Sequence, residues 1–138
     1  MRRSFFDTNV LLHLFDNREP DKKAAAQELI QREVEADRAS LSTQVLQEFY
    51  VNATRKLAFP LSPEEAGARV RDFSRLPLVQ VDVPLILAAI SRSQRMSFSL
   101  WDAMIVEAAL KAGADRLLTE DLQHGQVIEG MRVENPFL

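Results

Sequence analysis

The 138-residue chain contains no cysteine. Disulfides, thiolate zinc sites and cysteine nucleophiles are thereby excluded, and the composition suits a reducing compartment. No stretch of the sequence approaches the ~18 consecutive apolar residues that a membrane-crossing helix needs. An excess of positive charge is also missing: 17 lysines and arginines stand against 20 aspartates and glutamates, for a formal net charge of -3. That balance does not favour general attraction to nucleic acid, although a net sum leaves a local basic patch open. There is no internal repeat, linker or low-complexity segment. What remains is 46% hydrophobic and 27% charged, which is the make-up of a chain that folds by itself. Its length fits one domain over residues 1–138 with a core of useful size.

The stretch "RRSFFDTNVLLHLF", from Arg2 to Phe15, combines a charged start with two apolar runs. Asp7, Thr8 and Asn9 split those runs into pieces shorter than a signal sequence requires, and no small-residue cleavage site follows. A cytoplasmic protein is therefore expected. The same three polar residues raise a question of chemistry, because a carboxylate at the end of an apolar run must have a use.

The hydrophobic periods alternate between strand and helix. "RSFFD" reads as a short buried strand with Asp7 at its carboxyl end, and "TNVLLHLF" as the start of a short helix. A helix follows in "PDKKAAAQELIQREVEADR", with Ala25, Ala26, Leu29, Ile30 and Val34 on one stripe. "ASLS" is a second strand, and Thr43 is placed to cap the helix "QVLQEFYVNATRKL". Ser62, Pro63 and Glu65 form the signature of a capping box at the start of the next helix. "LVQVD" alternates like a strand and leads to Asp82, a cap for "VPLILAAISRSQR". "SLWDAMIVEAALKAG" begins at Ser99 and stops at Gly113, "DRLLT" is a further strand, and "MRVENPF" is read as a last edge strand. This alternation predicts a three-layer α/β/α fold around a mainly parallel sheet.

In such sheets functional groups collect beyond the carboxyl ends of the strands. Asp7 and Asp121 each follow a strand, and Asp102 lies in the first turn of a helix. Glu48 lies one turn into its helix, about 60° outside an apolar arc of roughly 140° formed by Val45, Leu46, Phe49, Tyr50, Ala53 and Leu57. Each acid has a plainer reading. Asp7 serves as a helix cap, Asp102 as the partner of Ser99 in a capping box, Glu48 as a solvated residue, and Asp121 as a turn residue.

Asp102 stands out because its helix is apolar nearly all round, which predicts burial. A carboxylate in the first turn of a buried helix needs a partner, and a divalent cation is one that serves. Carboxylates converging in one cleft repel each other unless a cation holds them, and oxygen-only ligands select a hard ion such as Mg2+ or Mn2+.

Four blocks, "FFDTNVLL", "STQVLQEF", "SLWDAMIVEAA" and "LLTEDLQHG", occur in an order that resembles the PIN-domain ribonucleases, especially the VapC-type toxins of bacterial and archaeal toxin-antitoxin pairs. The resemblance runs from the first strand to the C-terminal "NPF". It implies a PIN-like fold and an acidic quartet of Asp7, Glu48, Asp102 and Asp121 holding one or two Mg2+ or Mn2+ ions, with Glu120 beside Asp121 as the other acid of the fourth block. It also places Asn9 and Thr119 next to the first and last acids, where they orient a carboxylate or a water. The activity implied is endonucleolytic cleavage of RNA by metal-assisted hydrolysis, with an antitoxin protein as partner and a homodimer as the assembly.

His13 and His124 are poorly placed for paired acid-base work, His13 being read as a core residue and His124 as a solvated one. Arg55, Lys56, Arg92 and Arg95 are candidates for phosphate contacts, or else solvated residues of helix faces. Two other classes compete with the nuclease. Phosphatases of the haloacid dehalogenase type carry Asp-x-Asp after the first strand, but the second position here is Asn9. A non-catalytic receiver-like or PIN module would use Trp101, Phe5, Phe49 and Phe59 as an interface in place of core.

Overall fold

The computed structural model describes residues 2–138. Its elements run β1 (Ser4–Phe6), α1 (Thr8–Leu12), a 3-10 turn (His13–Phe15), α2 (Pro20–Glu35), β2 (Ala39–Ser42), α3 (Thr43–Arg55) and α4 (Pro63–Phe73). They continue with β3 (Leu78–Val79), α5 (Val83–Met96), α6 (Leu100–Lys111), β4 (Arg116–Leu118), β5 (Val127–Ile128) and β6 (Met131–Glu134). The α/β alternation expected from the hydrophobic periods is present. Among the described residues no helix is long and apolar enough to cross a membrane.

The strands form one sheet in the order β3-β2-β1-β4-β6-β5. All neighbours are parallel except β5 and β6, which form an antiparallel hairpin. β6 is therefore an inner strand beside β4, and the edge belongs to β5, contrary to the sequence reading of "MRVENPF". The hairpin closes through Glu129 and Gly130, both at positive φ (48° and 85°), the backbone that a two-residue type I′ turn requires.

The chain moves from β1 outward to β2 and β3, then returns across the sheet to place β4 on the other side of β1. Right-handed crossovers put the helices of these two runs on opposite faces, which gives the three layers. The reversal also creates a crevice between the carboxyl ends of β1 and β4, where open α/β sheets bind ligands. Phe5, Phe6, Leu41, Leu117 and Leu118 fill the strands and are fully buried, as expected for a sheet covered on both faces.

Several local expectations need correction. α3 is capped by Ser42, whose hydroxyl accepts from the Val45 N–H; Thr43 instead accepts from the Val81 N–H at 3.1 Å, tying α3 to the segment after β3. The buried stripe of α2 passes through Ala26, Leu29 and Glu33, not Val34, because Glu33 has charged partners beneath the helix. The strand expected across "LVQVD" shrinks to Leu78–Val79, since only these residues pair with β2. Ser62 and Glu65 do form the capping box at the start of α4, and Asp82 caps α5.

Candidate metal centre

Asp7 leaves β1 in extended conformation and caps α1, accepting the Thr8 N–H at 2.7 Å. Its backbone N–H donates to the Leu118 carbonyl at 3.0 Å, so the end of β4 fixes its position. Its other carboxylate oxygen accepts the Thr119 hydroxyl at 2.7 Å. The side chain is thus held at the crevice between the two central strands, with the residue only 5% exposed.

Three more acids reach the same place. Asp7, Glu48, Asp102 and Asp121 line one cavity of about 160 Å3 together with Thr8, Asn9, Leu12, Gln44, Asn52, Trp101 and Ile105. No lysine or arginine is among these residues. Glu48 lies partly buried on α3, where the Thr8 hydroxyl donates to it at 2.8 Å and the Gln44 amide at 3.4 Å. Asp102 rides in the first turn of α6, whose cap Ser99 accepts the Asp102 N–H at 3.0 Å. Only that half of a capping box forms, which leaves the Asp102 carboxylate to face the cavity. Asp121 stands at the rim, its N–H donating to the Thr119 hydroxyl at 3.0 Å.

The electrostatics follow from this crowding. Burial pushes the Asp7 carboxyl up to about 7, and the negative charges of Asp121 and Glu48 add to that, while the bonds from Thr119 and Thr8 act in the opposite sense. Asp121 is also raised, first by desolvation and then by Asp102 and Glu120, against the Asn9 amide. Glu120 behaves differently. Desolvation opposes its ionisation, but Lys22 at 2.8 Å and His13 at 2.6 Å hold its carboxyl below the usual range. The two acids of the fourth block therefore have distinct surroundings: Asp121 lines the cavity, and Glu120 is engaged by a lysine and a histidine.

Asn9 and Thr119 lie where the sequence reading put them. The Asn9 amide donates to Thr119 at 3.4 Å and its carbonyl accepts the Glu120 N–H at 3.4 Å. Thr8 and Gln44, which position Glu48, were not singled out from the sequence. The signal for Gln44 was its place four residues before Glu48, on the same helix face.

Other expectations fail. Arg92 is 4% exposed and paired with Glu107 at 2.5 Å and with Glu129, so it has no free face for a phosphate. α6 is not buried all round: Trp101 is 62% exposed at its start, where it lines the mouth of the cavity and the groove beside it. Of the four aromatics offered as an interface, Phe5 and Phe49 are fully buried core, and only Phe59 and Trp101 are exposed. The readings of the two histidines hold: His13 is buried and His124 is exposed, with its Nδ1 accepting the Asn135 N–H at 2.9 Å.

The PIN domain family model matches residues 4–129. The chain belongs to the PIN-domain family. Among solved structures, this PIN domain is similar to the DNA-bound VapBC of Salmonella typhimurium, at 25% identity and a TM-score of 0.68 over 99% of each chain. It is also similar to a toxin-antitoxin complex from Klebsiella pneumoniae, at 22% identity and a TM-score of 0.67 over 96% of this chain and 97% of that one. A third likeness is to VapC20 of Mycobacterium tuberculosis, a toxin that cleaves the sarcin-ricin loop, at 18% identity and a TM-score of 0.61 over 83% of this chain and 86% of that one. No curated protein matches the sequence.

Proposed function

We propose that this PIN domain is a metal-dependent endoribonuclease and the toxin half of a toxin-antitoxin pair. One observation carries the reading: four carboxylates and no basic side chain line a single cavity at the switch point of the sheet. Such a cavity fits a hard divalent cation, because the donors are all oxygen and the charge of Asp7 is resisted by burial and by its neighbours. Asp7, Glu48, Asp102 and Asp121 would hold the ion, either Mg2+ or Mn2+.

When bound, the cation supplies water activation near neutral pH and neutralises charge on the phosphate and the leaving oxygen. The protein's part is to place the carboxylates; burial and mutual repulsion oppose the charges of Asp7 and Asp121, which a bound cation would offset. Asp7, whose carboxyl burial pushes up to about 7, would serve as a ligand in its deprotonated form. Thr119 orients one Asp7 oxygen, and Thr8 orients both acids of the first pair by donating its N–H to Asp7 and its hydroxyl to Glu48. Gln44 bridges from Glu48 to the Trp101 carbonyl at 3.2 Å, linking α3 to the start of α6. No serine or histidine is placed as a nucleophile or base in the cavity, which agrees with hydrolysis by water.

RNA is the proposed substrate, an antitoxin protein the proposed partner and a homodimer the proposed assembly, within the cytoplasm and with residues 1–138 acting as one domain. The toxin-antitoxin complexes among the similar structures support the partner, and the RNA-cleaving toxin supports the substrate. Phosphate contacts fall to exposed cations such as Lys56, which lines a groove with Glu48 and Trp101. The haloacid dehalogenase reading loses its second acid, because Asn9 occupies that position as an amide bound to Thr119 and Glu120. Cleavage of RNA with added Mn2+ or Mg2+ by the intact protein, compared with Asp7→Asn and Asp102→Asn, tests the proposal. Loss of cleavage in both variants is expected; equal activity in all three, or none in any, would overturn it.

A further inference from the structure

His13, Asp16 and Glu19 follow one another at intervals of three residues, and the backbone turns them to the same side. The Asp16 N–H donates to the His13 carbonyl at 3.4 Å and the Glu19 N–H to the Asp16 carbonyl at 3.5 Å. One ligand atom from each of the three residues lies within 4.8 Å of the others.

The state of the His13 ring gives the grouping its meaning. Nε2 sits 2.6 Å from Glu120 Oε1, and the other oxygen of that carboxyl group accepts from the Lys22 ammonium at 2.8 Å. A carboxylate only accepts, so Nε2 carries the proton. Nδ1 is then left buried without a hydrogen-bond partner among the described residues, and the ring is nine-tenths buried. It faces Glu19 Oε2 at 3.8 Å. A neutral ring aims a lone pair at carboxylates, and a protonated ring would aim an N–H with no acceptor in hydrogen-bond reach. Both are unfavourable in a buried place. A cation between the three groups removes the conflict.

We propose that His13, Asp16 and Glu19 form a second cation site, separate from the four-carboxylate cavity, for a first-row transition-metal dication such as Zn2+. One nitrogen and two oxygen ligands suit such an ion better than Mg2+, and two carboxylates balance its charge. Glu120 accepts from the other ring nitrogen, as carboxylates do behind metal-ligating histidines. The Phe137 ring meets His13 edge-on at 4.6 Å and fixes its orientation. Arg18 occupies Asp16 Oδ1 and leaves Oδ2 free. Lys22 stands on Glu120 at 2.8 Å and 3.9 Å from Glu19 Oε2, so it supports the outer carboxylate without filling the place beside Nδ1. The ion would tie the turn before α2 to Glu120, the neighbour of Asp121.

The test uses the full chain carrying Asp7→Asn and Asp102→Asn, stripped with a chelator, so that its outcome does not depend on the four-carboxylate cavity. Zn2+ titrated by calorimetry should bind one equivalent at this site, with the His13 Nδ1 signal shifting in nitrogen-detected NMR while Nε2 stays protonated. Adding Glu19→Gln, a half-exposed position that leaves the core intact, should weaken binding on the order of 10-fold or more. His13→Gln should abolish it. Binding unchanged by both substitutions would overturn the proposal. So would an Nδ1 signal that responds to lowered pH but not to Zn2+, since a proton would then be the cation.

Discussion

The Thr119 hydroxyl donates to Asp7 Oδ2 at 2.7 Å across 112 residues of chain. The Thr119 hydroxyl oxygen in turn accepts the Asp121 N–H at 3.0 Å and the Asn9 amide at 3.4 Å. One fully buried hydroxyl therefore sets the position of the first acid relative to the last. Thr119→Val keeps the shape and removes all three bonds. Metal affinity measured by calorimetry should fall about 10- to 100-fold, the usual loss when a ligand's supporting bond is deleted. Unchanged affinity would show that Thr119 serves folding alone.

Asp7 makes the metal-free protein less stable as pH rises. Burial pushes its folded-state carboxyl up to about 7 from an ordinary value of 3.8, so the native state holds the proton longer than the unfolded chain does. Stability falls from about pH 4 and levels off above pH 7, by an amount on the order of 4 kcal/mol at most. Asp7→Asn in chelator at pH 8 should therefore melt higher than the parent, although it cleaves no RNA. Added Mg2+ or Mn2+ should raise the melting temperature of the parent and leave that of the variant where it was. A variant that melts lower in chelator would contradict this account of Asp7.

These two residues also show what the sequence revealed. Asp7 was legible because a polar triplet interrupts an apolar strand, and Asp102 because it begins an apolar helix. Both are local contrasts between neighbours. Thr8 was not legible, since it touches Glu48 from another element, and Gln44, although spaced four residues before Glu48, was not legible as a link to the Trp101 carbonyl, because which residues touch across elements depends on packing that no periodicity encodes. Arg92 and Trp101 were misread for the same reason. An arginine on an amphipathic helix reads as solvated until Glu107 and Glu129 arrive from α6 and the β5–β6 turn, and a tryptophan reads as core until the helix start is seen to line an open groove. The capping box at Ser62 needs only four consecutive residues, and it was found intact.

Glu33 is a buried carboxylate of another kind. Burial opposes its charge, but Arg38 at 2.6 Å, the Ser4 hydroxyl at 2.6 Å and Arg116 at 2.8 Å outweigh that and lower it to about 2. A depressed carboxyl stabilises the fold above its unfolded value of 4.5, and the benefit is lost as pH falls from there towards 2. Glu33→Gln should cost roughly 3 kcal/mol at pH 7 by chemical denaturation, since it leaves Arg116 without its buried partner. Near pH 2 the parent and the variant should unfold alike. An equal penalty at both pH values would assign the effect to packing.

Trp101 stands exposed beside Asp102 and lines, with Val51 and Lys56, a groove that continues from the acidic cavity past Glu48. An aromatic face next to a cleavage site is suited to stack an RNA base, and a lysine along the same groove to meet a phosphate. Loss of one stacked base is worth about 1–3 kcal/mol. Trp101→Ala should raise KM for RNA by roughly 10- to 100-fold in the range that energy implies, and leave metal affinity and melting temperature near the parent's because the residue is 62% exposed. Lys56→Ala should weaken RNA binding evenly across sequences and reduce its salt dependence by about one contact. If Trp101→Ala instead lowers metal affinity, the indole acts through Asp102 or through Gln44, which bonds the Trp101 carbonyl, and base stacking is not its role.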